Sequence, residues 1–371
     1  MRVLQVLFNP PLSNGGVERI VSELSTMLNR DNNVVDILCA GSLDNYERAE
    51  FGGMISLKVP NYRFAGRLSV AFRKIHYNIR LKKFILENQD KYDIFHFHGD
   101  VGGFKEIANL NSIATMHGFT QDASSKRNIF FRLVLYFSSI KYEIGNVKYA
   151  RKLTAVNGKI AQLINKKYNR KCIVIYNGVD THTYAPISQE EKIKLRKSLN
   201  LYDKKTYVIF IGGDKYIKGL DIFISAVENI NGIWANVLGV HSKNHKNIKF
   251  LGRVDEKTLI KYLLCSDILI APSRYDSFSI SALESISCGV PIIISNNLGL
   301  CEIIEDNING LIINSLNPDD YKERMLKLLS DYKLYKRISR NGRKLALKYN
   351  INIVYKKYKR VYRWLFGLHR I

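Results

Sequence analysis

One pattern constrains the fold of this chain more than any other: short apolar runs without polar alternation, each followed by helical periodicity, and the whole series occurs twice. In the first half the runs are Val3–Phe8, Val34–Cys39, Ile55–Val59, Ile94–Phe97, Ile113–Met116, Leu153–Val156 and Ile173–Tyr176. Unbroken apolar runs suit strands covered on both faces, which implies a parallel sheet with helices on each side. After the first run Gly15-Gly16 opens a helix in which Val17, Ile20, Val21, Leu24, Met27 and Leu28 recur at helical spacing. A turn signal at Asn177–Asp180 and a polar stretch, Thr181–Asn200 with Pro186, then interrupt the series. It restarts with Tyr207–Ile211, a glycine-rich turn and a helix from Gly219, and continues through Ala235–Val240, Ile248–Leu251, Ile268–Ala271, Pro291–Ile294 and Leu311–Ile313. The expected fold class is α/β: two Rossmann-like, doubly wound domains over 1–185 and 186–350, with a C-terminal helix over 351–371 crossing back to the first. A length of 371 residues suits two such cores.

Composition narrows the function classes. Hydrophobic residues at 46% and charged residues at 24% exclude wholesale disorder. Met1 runs directly into an apolar strand, so no signal peptide is expected. The nearest approach to a spanning segment, Ile129–Ile140, is short and carries Arg132, so a soluble or peripheral protein is expected. Five cysteines (Cys39, Cys172, Cys265, Cys288, Cys301) lack metal-ligand spacing, which disfavours zinc or a disulfide framework and fits a reducing cytoplasm. The net charge of +24 points to anionic partners, although abundant Lys, Ile, Asn and Tyr, as AT-rich coding produces, account for part of it.

Three constellations carry chemistry. In Pro272–Glu284, Asp276 and Glu284 are eight positions apart, so a loop and a helix start between them would bring both to one pocket mouth. The N–H groups of Ser277–Ile280 would then leave a helix N-terminus, where a diphosphate binds well. The bland alternatives make Asp276 a helix cap and Glu284 a solvated helix residue. In Phe210–Gly219, a strand ends at Gly212 and Gly213, which let a phosphate approach the backbone, while Lys215 and Lys218 can neutralise it. The Gly-Lys-Ser/Thr order of a Walker loop is absent, and a plain turn with surface lysines is the alternative. His96, His98 and His117 stand at strand ends, where a histidine is more often a satisfied structural group than a reactive one.

Taken in order, these segments resemble the family-4 retaining glycosyltransferases of the GT-B fold, in which two Rossmann-like domains face each other across a cleft. Glu284, Cys288, Gly289 and Pro291 match that family's donor signature; Asp276 is one methylene shorter than its first acid, and Ser277 and Ser279 replace two turn glycines. Lys218 matches the lysine that holds the donor diphosphate, but Gly213 stands where the family has arginine. Either Lys215 supplies the second cation, or the donor is held more weakly, or it differs. Asn14–Arg19 is similar to the family's first glycine-rich loop, Val174–Asp180 to its hinge, Met116-His117-Gly118 to its sugar-side histidine, and Gly299–Ile304 with Asn309–Leu311 to its acidic loop and next strand. The resemblance implies His117 and Asp276 as catalytic, Gly16, Gly212, Gly213, Lys215, Lys218, Ser277, Phe278, Ser279 and Glu284 as donor-binding, and His96 or His98 on the acceptor side. It implies transfer from a UDP- or GDP-sugar to a hydroxyl of a lipid-linked or cell-surface glycan, with retention. No Asp-x-Asp pattern occurs, so no metal and no cofactor beyond the nucleotide sugar is expected; cations stabilise the leaving diphosphate, which itself helps deprotonate the acceptor.

An anionic membrane surface is a further expected partner. Between Glu50 and Glu87 there is no acidic residue, and Lys58, Arg63, Arg67, Arg73, Lys74, Arg80, Lys82 and Lys83 alternate with apolar side chains from Phe64 to Phe84. A second such segment runs from Lys126 and Arg127 through Phe130, Phe131 and Arg132 to Phe137. Basic amphipathic helices bind headgroups through charge and the acyl boundary through their apolar face, which would place the protein peripherally on the cytoplasmic face; core packing of the same apolar residues is the alternative. Two rival functions remain in view: a nucleotide-sugar epimerase of the same fold, favoured by the missing arginine, and a nucleic-acid-binding protein, favoured by charge alone and disfavoured by dispersed basic residues without a binding motif.

Overall fold

The computed structural model describes residues 1–11, 15–42, 44–49, 52–62, 67–119, 133–201, 205–213 and 215–367. Asn14, Asp214, Arg63, Phe64, Lys126, Arg127, Phe130, Phe131, Arg132 and the side chain of Arg67 lie outside the described residues. The chain divides into two units, one of Met1–Tyr176 and Val354–Ile371, the other of Asn177–Ile353.

In unit 1 the strands are β1 (Arg2–Val6), β2 (Val34–Gly41), β3 (Asn45–Ala49), β4 (Gly52–Lys58), β5 (Ile94–His98), β6 (Ser112–Met116), β7 (Lys152–Ala155) and β8 (Ile173–Val174). They form one eight-stranded sheet in the order β3-β4-β2-β1-β5-β6-β7-β8. All its pairings are parallel except that of β3 with β4. The helices are α1 (Gly16–Arg30), α2 (Arg67–Asn88), α3 (Lys141–Tyr149) and α4 (Gly158–Tyr168). Periodicity explains their placement. Ile20, Val21, Leu24 and Leu28 form the buried stripe of α1, and burying each such side chain contributes about 1.5–3 kcal/mol. Strand β3, Asn-Tyr-Glu-Arg-Ala, is invisible to that pattern because it has no apolar run; it survives as a polar edge strand.

Unit 2 contains β9 (Thr206–Ile211), β10 (Ile233–Leu238), β11 (Ile248–Gly252), β12 (Ile268–Ala271), β13 (Ile292–Ser295) and β14 (Leu311–Ile313). They make a six-stranded, wholly parallel sheet ordered β11-β10-β9-β12-β13-β14. Its helices are α5 (Gln189–Ser198), α6 (Leu220–Val227), α7 (Glu256–Cys265), α8 (Ile280–Ser287), α9 (Pro318–Ser330) and α10 (Tyr332–Lys348). The unit begins at Asn177, earlier than the 185/186 boundary read from the sequence, because the intervening polar residues are tied into it. The Tyr184 carbonyl accepts from Ser287 Oγ at 2.6 Å and from Arg343 Nη1 at 3.0 Å, and Tyr184 Oη donates to Glu256 Oε1 at 3.0 Å. The last helix, α11 (Ile351–Gly367), belongs to unit 1 from Val354 onward. Tyr358 and Tyr362, four residues apart on one face, are buried there.

In a doubly wound sheet, ligands bind beyond the carboxyl ends of the strands where the strand order reverses. That point lies between β1 and β5 in unit 1 and between β9 and β12 in unit 2. The loops leaving β1 and β5 in unit 1, and those leaving β9 and β12 in unit 2, are therefore where each unit's ligand-facing residues belong.

Candidate functional site

In unit 2 the loop after β9 and the loop after β12 meet backbone to backbone. Gly219 sits at φ +72°, and a Cβ there would lie 2.1 Å from the Pro272 carbonyl oxygen, so only glycine fits. Gly212 makes room for the next element of the site: a Cβ at that position would be 2.8 Å from Lys218 Cγ. Arg274 locks the two loops together. Its guanidinium grips Asp221 through both ends, at 2.7 and 2.6 Å, donates to the Tyr216 carbonyl at 2.8 Å, and lies 4.2 Å from the centre of the Tyr216 ring. A planar fork used this fully is positioning backbone, which leaves the ammonium groups to meet an anion.

Lys218 and Asp276, 58 positions apart, are brought together by this arrangement: Nζ donates to Oδ2 at 2.6 Å. Asp276 is strapped on every side. Its Oδ1 accepts from the Phe278 amide at 3.3 Å, its carbonyl from the Gly299 amide at 2.8 Å, and its own amide donates to Asn297 at 3.3 Å. It is therefore not the N-cap of α8; Ser279 holds that position. Glu284 lies in the middle of α8 and is 2% exposed, which removes the reading of a solvated helix residue. The Phe278 ring is 1% exposed and belongs to the core, so anything it offers a ligand comes from its backbone. Ser277 is half-buried beside Asp276, whereas Gly213 and Lys215 are exposed on the opposite loop. Ser279 has φ +76°, the left-handed conformation a glycine would take without strain; a side chain there costs about 1–2 kcal/mol. The first amides of α8, from Ile280 on, have no intrahelical acceptor and form a ready site for negative charge.

In unit 1 the β1/β5 switch point gathers the three histidines. His98 Nδ1 lies 3.1 Å from His117 Nε2 and His98 Nε2 lies 2.8 Å from Gln5 Oε1. His96 Nδ1 meets Tyr362 Oη at 2.7 Å and His96 Nε2 meets Thr115 Oγ1 at 2.6 Å. His96 is 0% and His98 3% exposed with both ring nitrogens engaged, so neither lines an open acceptor surface as expected for an acceptor-side residue; their burial makes them support. His117 is the half-buried member of the set. Gln5, Thr115 and Tyr362 were not foreseen, although a glutamine and a threonine inside otherwise apolar strands were the available signal. Gly16 opens α1, but the first turn of that helix already holds a carboxylate: Glu18 is buried and accepts from Asn9 Nδ2 at 2.7 Å.

Burial pushes His96 and His98 well below the ordinary imidazole value and His117 down to about 4. All three are neutral in the fold, whereas in the unfolded chain they protonate below about pH 6.5. The unfolded state then binds more protons, so stability is fully present above pH 6.5 and is lost as pH falls toward 4. The slope is about 1.4 kcal/mol per pH unit for each histidine that stays neutral. Thermal midpoints should accordingly drop between pH 7 and 5; a flat profile across that window would contradict this burial.

Comparison with known proteins bears on the family and the fold. Residues 14–183 match the family described as Glycosyltransferase Family 4, and residues 191–345 match Glycosyl transferases group 1. An uncharacterised glycosyltransferase of Methanocaldococcus jannaschii is 27% identical over 83% of this chain and 84% of its own length. N,N'-diacetylbacillosaminyl-diphospho-undecaprenol alpha-1,3-N-acetylgalactosaminyltransferase of Campylobacter jejuni is 28% identical over 62% of this chain and 64% of its own. Among solved structures, sucrose-phosphate synthase from Thermosynechococcus elongatus superposes with a TM-score of 0.84 at 17% identity, covering 99% of both chains. Anabaena Alr3699/HepE in complex with UDP-glucose gives 0.71 at 16% identity, covering 96% of this chain and 98% of that one. Two family matches tiling the chain in order, on an architecture shared with such enzymes, favour neither an epimerase nor a nucleic-acid-binding protein: the chain is a family-4 glycosyltransferase of the GT-B fold.

Proposed function

We propose that unit 2 binds a nucleotide diphosphate sugar at the β9/β12 switch point and that the enzyme transfers the sugar, with retention, to a hydroxyl acceptor. The observation that carries this reading is the Lys218–Asp276 pair, an ammonium and a carboxylate fixed 2.6 Å apart at the mouth of the two loops. Lys218, with Lys215 in place of the absent arginine, and the first amides of α8 stabilise charge on the departing diphosphate. Asp276 faces the transferred sugar and buried Glu284 receives the ribose hydroxyls, while His117 is the sugar-side residue of unit 1. Gly212, Gly213 and the backbone of Ser277–Ser279 give the donor close approach. The UDP-glucose complex of the Anabaena neighbour supports a UDP- or GDP-sugar as donor.

The reading needs no metal, cofactor or nucleic acid: cations stand where a divalent ion would otherwise neutralise diphosphate, and the leaving phosphate takes the acceptor proton. The test is transfer of labelled sugar from UDP-, GDP- and ADP-sugars in excess EDTA, with the anomeric configuration of the product read by NMR. Retained configuration and undiminished rate are expected. An inverted product, or a rate lost in EDTA and restored by magnesium or manganese, would overturn it; conversion of the donor without acceptor would mark an epimerase.

A lipid-linked glycan is the proposed acceptor, met at an anionic membrane surface. The Campylobacter relative, an N,N'-diacetylbacillosaminyl-diphospho-undecaprenol alpha-1,3-N-acetylgalactosaminyltransferase by name, supports it. So does α2. One face buries Tyr77, Leu81 and Ile85, while Val70, Phe72 and Ile79 are exposed, and Leu133, Tyr136 and Phe137 add exposed apolar surface on a neighbouring turn. Lys74, Arg80 and Lys82 are engaged by Asp100, Asp44 and Glu106, which leaves the apolar side chains a larger share of the attachment than charge alone suggested. Among the described residues no helix is long and apolar enough to cross a membrane. Flotation with anionic vesicles should exceed that with neutral ones and fall severalfold in Phe72→Ser/Phe137→Ser. Equal flotation on both, unchanged by the substitutions, would point to a soluble glycan acceptor instead.

A further inference from the structure

A set of mostly buried polar residues in unit 1 forms one continuous chain of hydrogen bonds that ends on His117. Gln5 Nε2 donates to Tyr362 Oη at 3.2 Å, across 357 positions of sequence. A carboxamide donates only through nitrogen and accepts only through oxygen, so this contact gives the chain a direction. With Gln5 Oε1 facing His98 Nε2 at 2.8 Å, that nitrogen carries the proton. His98 Nδ1 is then bare and accepts from His117 Nε2–H at 3.1 Å. On the other side, the Tyr362 hydroxyl, already accepting from Gln5, donates to His96 Nδ1 at 2.7 Å. His96 Nε2–H passes on to Thr115 Oγ1, and Thr115 to Thr154 Oγ1, both at 2.6 Å. Each member between His117 and Thr154 donates once and accepts once within the chain. The members named from Gln5 to Tyr362 are buried, and burial keeps the imidazoles neutral, so no protonated ring interrupts the sequence. Reversing His117 would require turning every bond in the chain, and such chains strengthen cooperatively.

We infer that Gln5, His98 and Tyr362 are positioning residues that hold His117 as its Nε2-protonated tautomer, so that it presents a bare Nδ1, a hydrogen-bond acceptor for a sugar hydroxyl. The inference rests on the reading of His117 as sugar-facing. It gives α11 a part in the reaction, since the hydroxyl of Tyr362 links Gln5 to His96. A histidine free to exchange tautomers spends part of its time offering a donor where an acceptor is needed. Losing the partner that orients a metal-bound imidazole from behind typically costs about tenfold or more in activity, and an effect of that order is expected here.

The test uses the full chain labelled with ¹⁵N-histidine. Two-bond ¹H–¹⁵N spectra of the unmodified protein should show His98 and His117 both protonated at Nε2. In Tyr362→Phe, Gln5 loses its anchor: His117 should populate both tautomers, and kcat should fall about tenfold while the donor KM stays within about twofold. Tyr358→Phe is the control on the same helix. Its hydroxyl lies 3.5 Å from Thr115, off the main chain of bonds, so neither readout should move. A wild-type His117 protonated at Nδ1, or a Tyr362→Phe enzyme with unchanged spectrum and kcat, would overturn the inference. Should Tyr362→Phe fail to fold, the wild-type spectrum alone decides. Full activity in His117→Gln would instead remove His117 from the sugar site, while the spectra would still judge the relay.

Discussion

Lys218→Ala should lower kcat/KM for the nucleotide-sugar donor by a factor of about 10²–10³, with little change in thermal midpoint. The expectation follows from where the charge develops. As the glycosidic bond to diphosphate breaks, a fixed ammonium already in place needs no reorganisation, and removing one preorganised donor of this kind costs about 10²–10³ in rate. The fold loses little, because Lys218 is nearly a third exposed and a pair in that setting contributes no more than about 1 kcal/mol. The loops themselves are held by Gly219 and by the Arg274–Asp221 fork, which the substitution leaves intact. Lys218→Arg should recover part of the activity. A Lys218→Ala enzyme within threefold of wild type, assayed with labelled donor, would contradict the site.

Glu284→Gln should raise the donor KM by about tenfold to a hundredfold and change kcat far less. A buried carboxylate accepting from ribose hydroxyls makes charge-assisted bonds worth about 1.5–3 kcal/mol. The ribose does not react, so the same interaction is present in ground and transition states, and its loss appears in KM. Glutamine has nearly the same shape, so the buried position in α8 stays filled. An unchanged KM with a collapsed kcat would move Glu284 from the nucleotide to the reacting centre.

The doubly wound fold was legible because parallel strands buried on both faces leave unbroken apolar runs, and all six strands of unit 2 follow from such runs. β3 was not, since a polar edge strand writes no pattern of its own. The pairing of Lys218 with Asp276 could be guessed only as shared proximity to a ligand; that they touch depends on Gly212 and Gly219 admitting close approach of two loops. Glu284 on its helix gave no sign of burial, because α8 is enclosed on its polar side as well. Nor could the relay be read: Gln5, Thr115 and Tyr362 each look like an isolated polar residue until the fold brings residues 357 positions apart into one hydrogen bond. The turn signal at Asn177–Asp180 marked the region of the boundary but not its side, since Tyr184 joins unit 2 mainly through bonds to its backbone carbonyl.

The central claim is that the β9/β12 switch point of unit 2 holds the nucleotide diphosphate sugar. Hydrogen exchange measured with and without saturating UDP-sugar or GDP-sugar tests it most directly, since amides that meet a ligand become protected. Protection should concentrate in residues 211–220 and 273–285, and in Lys218→Ala it should require far more nucleotide sugar. Binding that protects other segments and leaves those two loops unchanged would contradict the account.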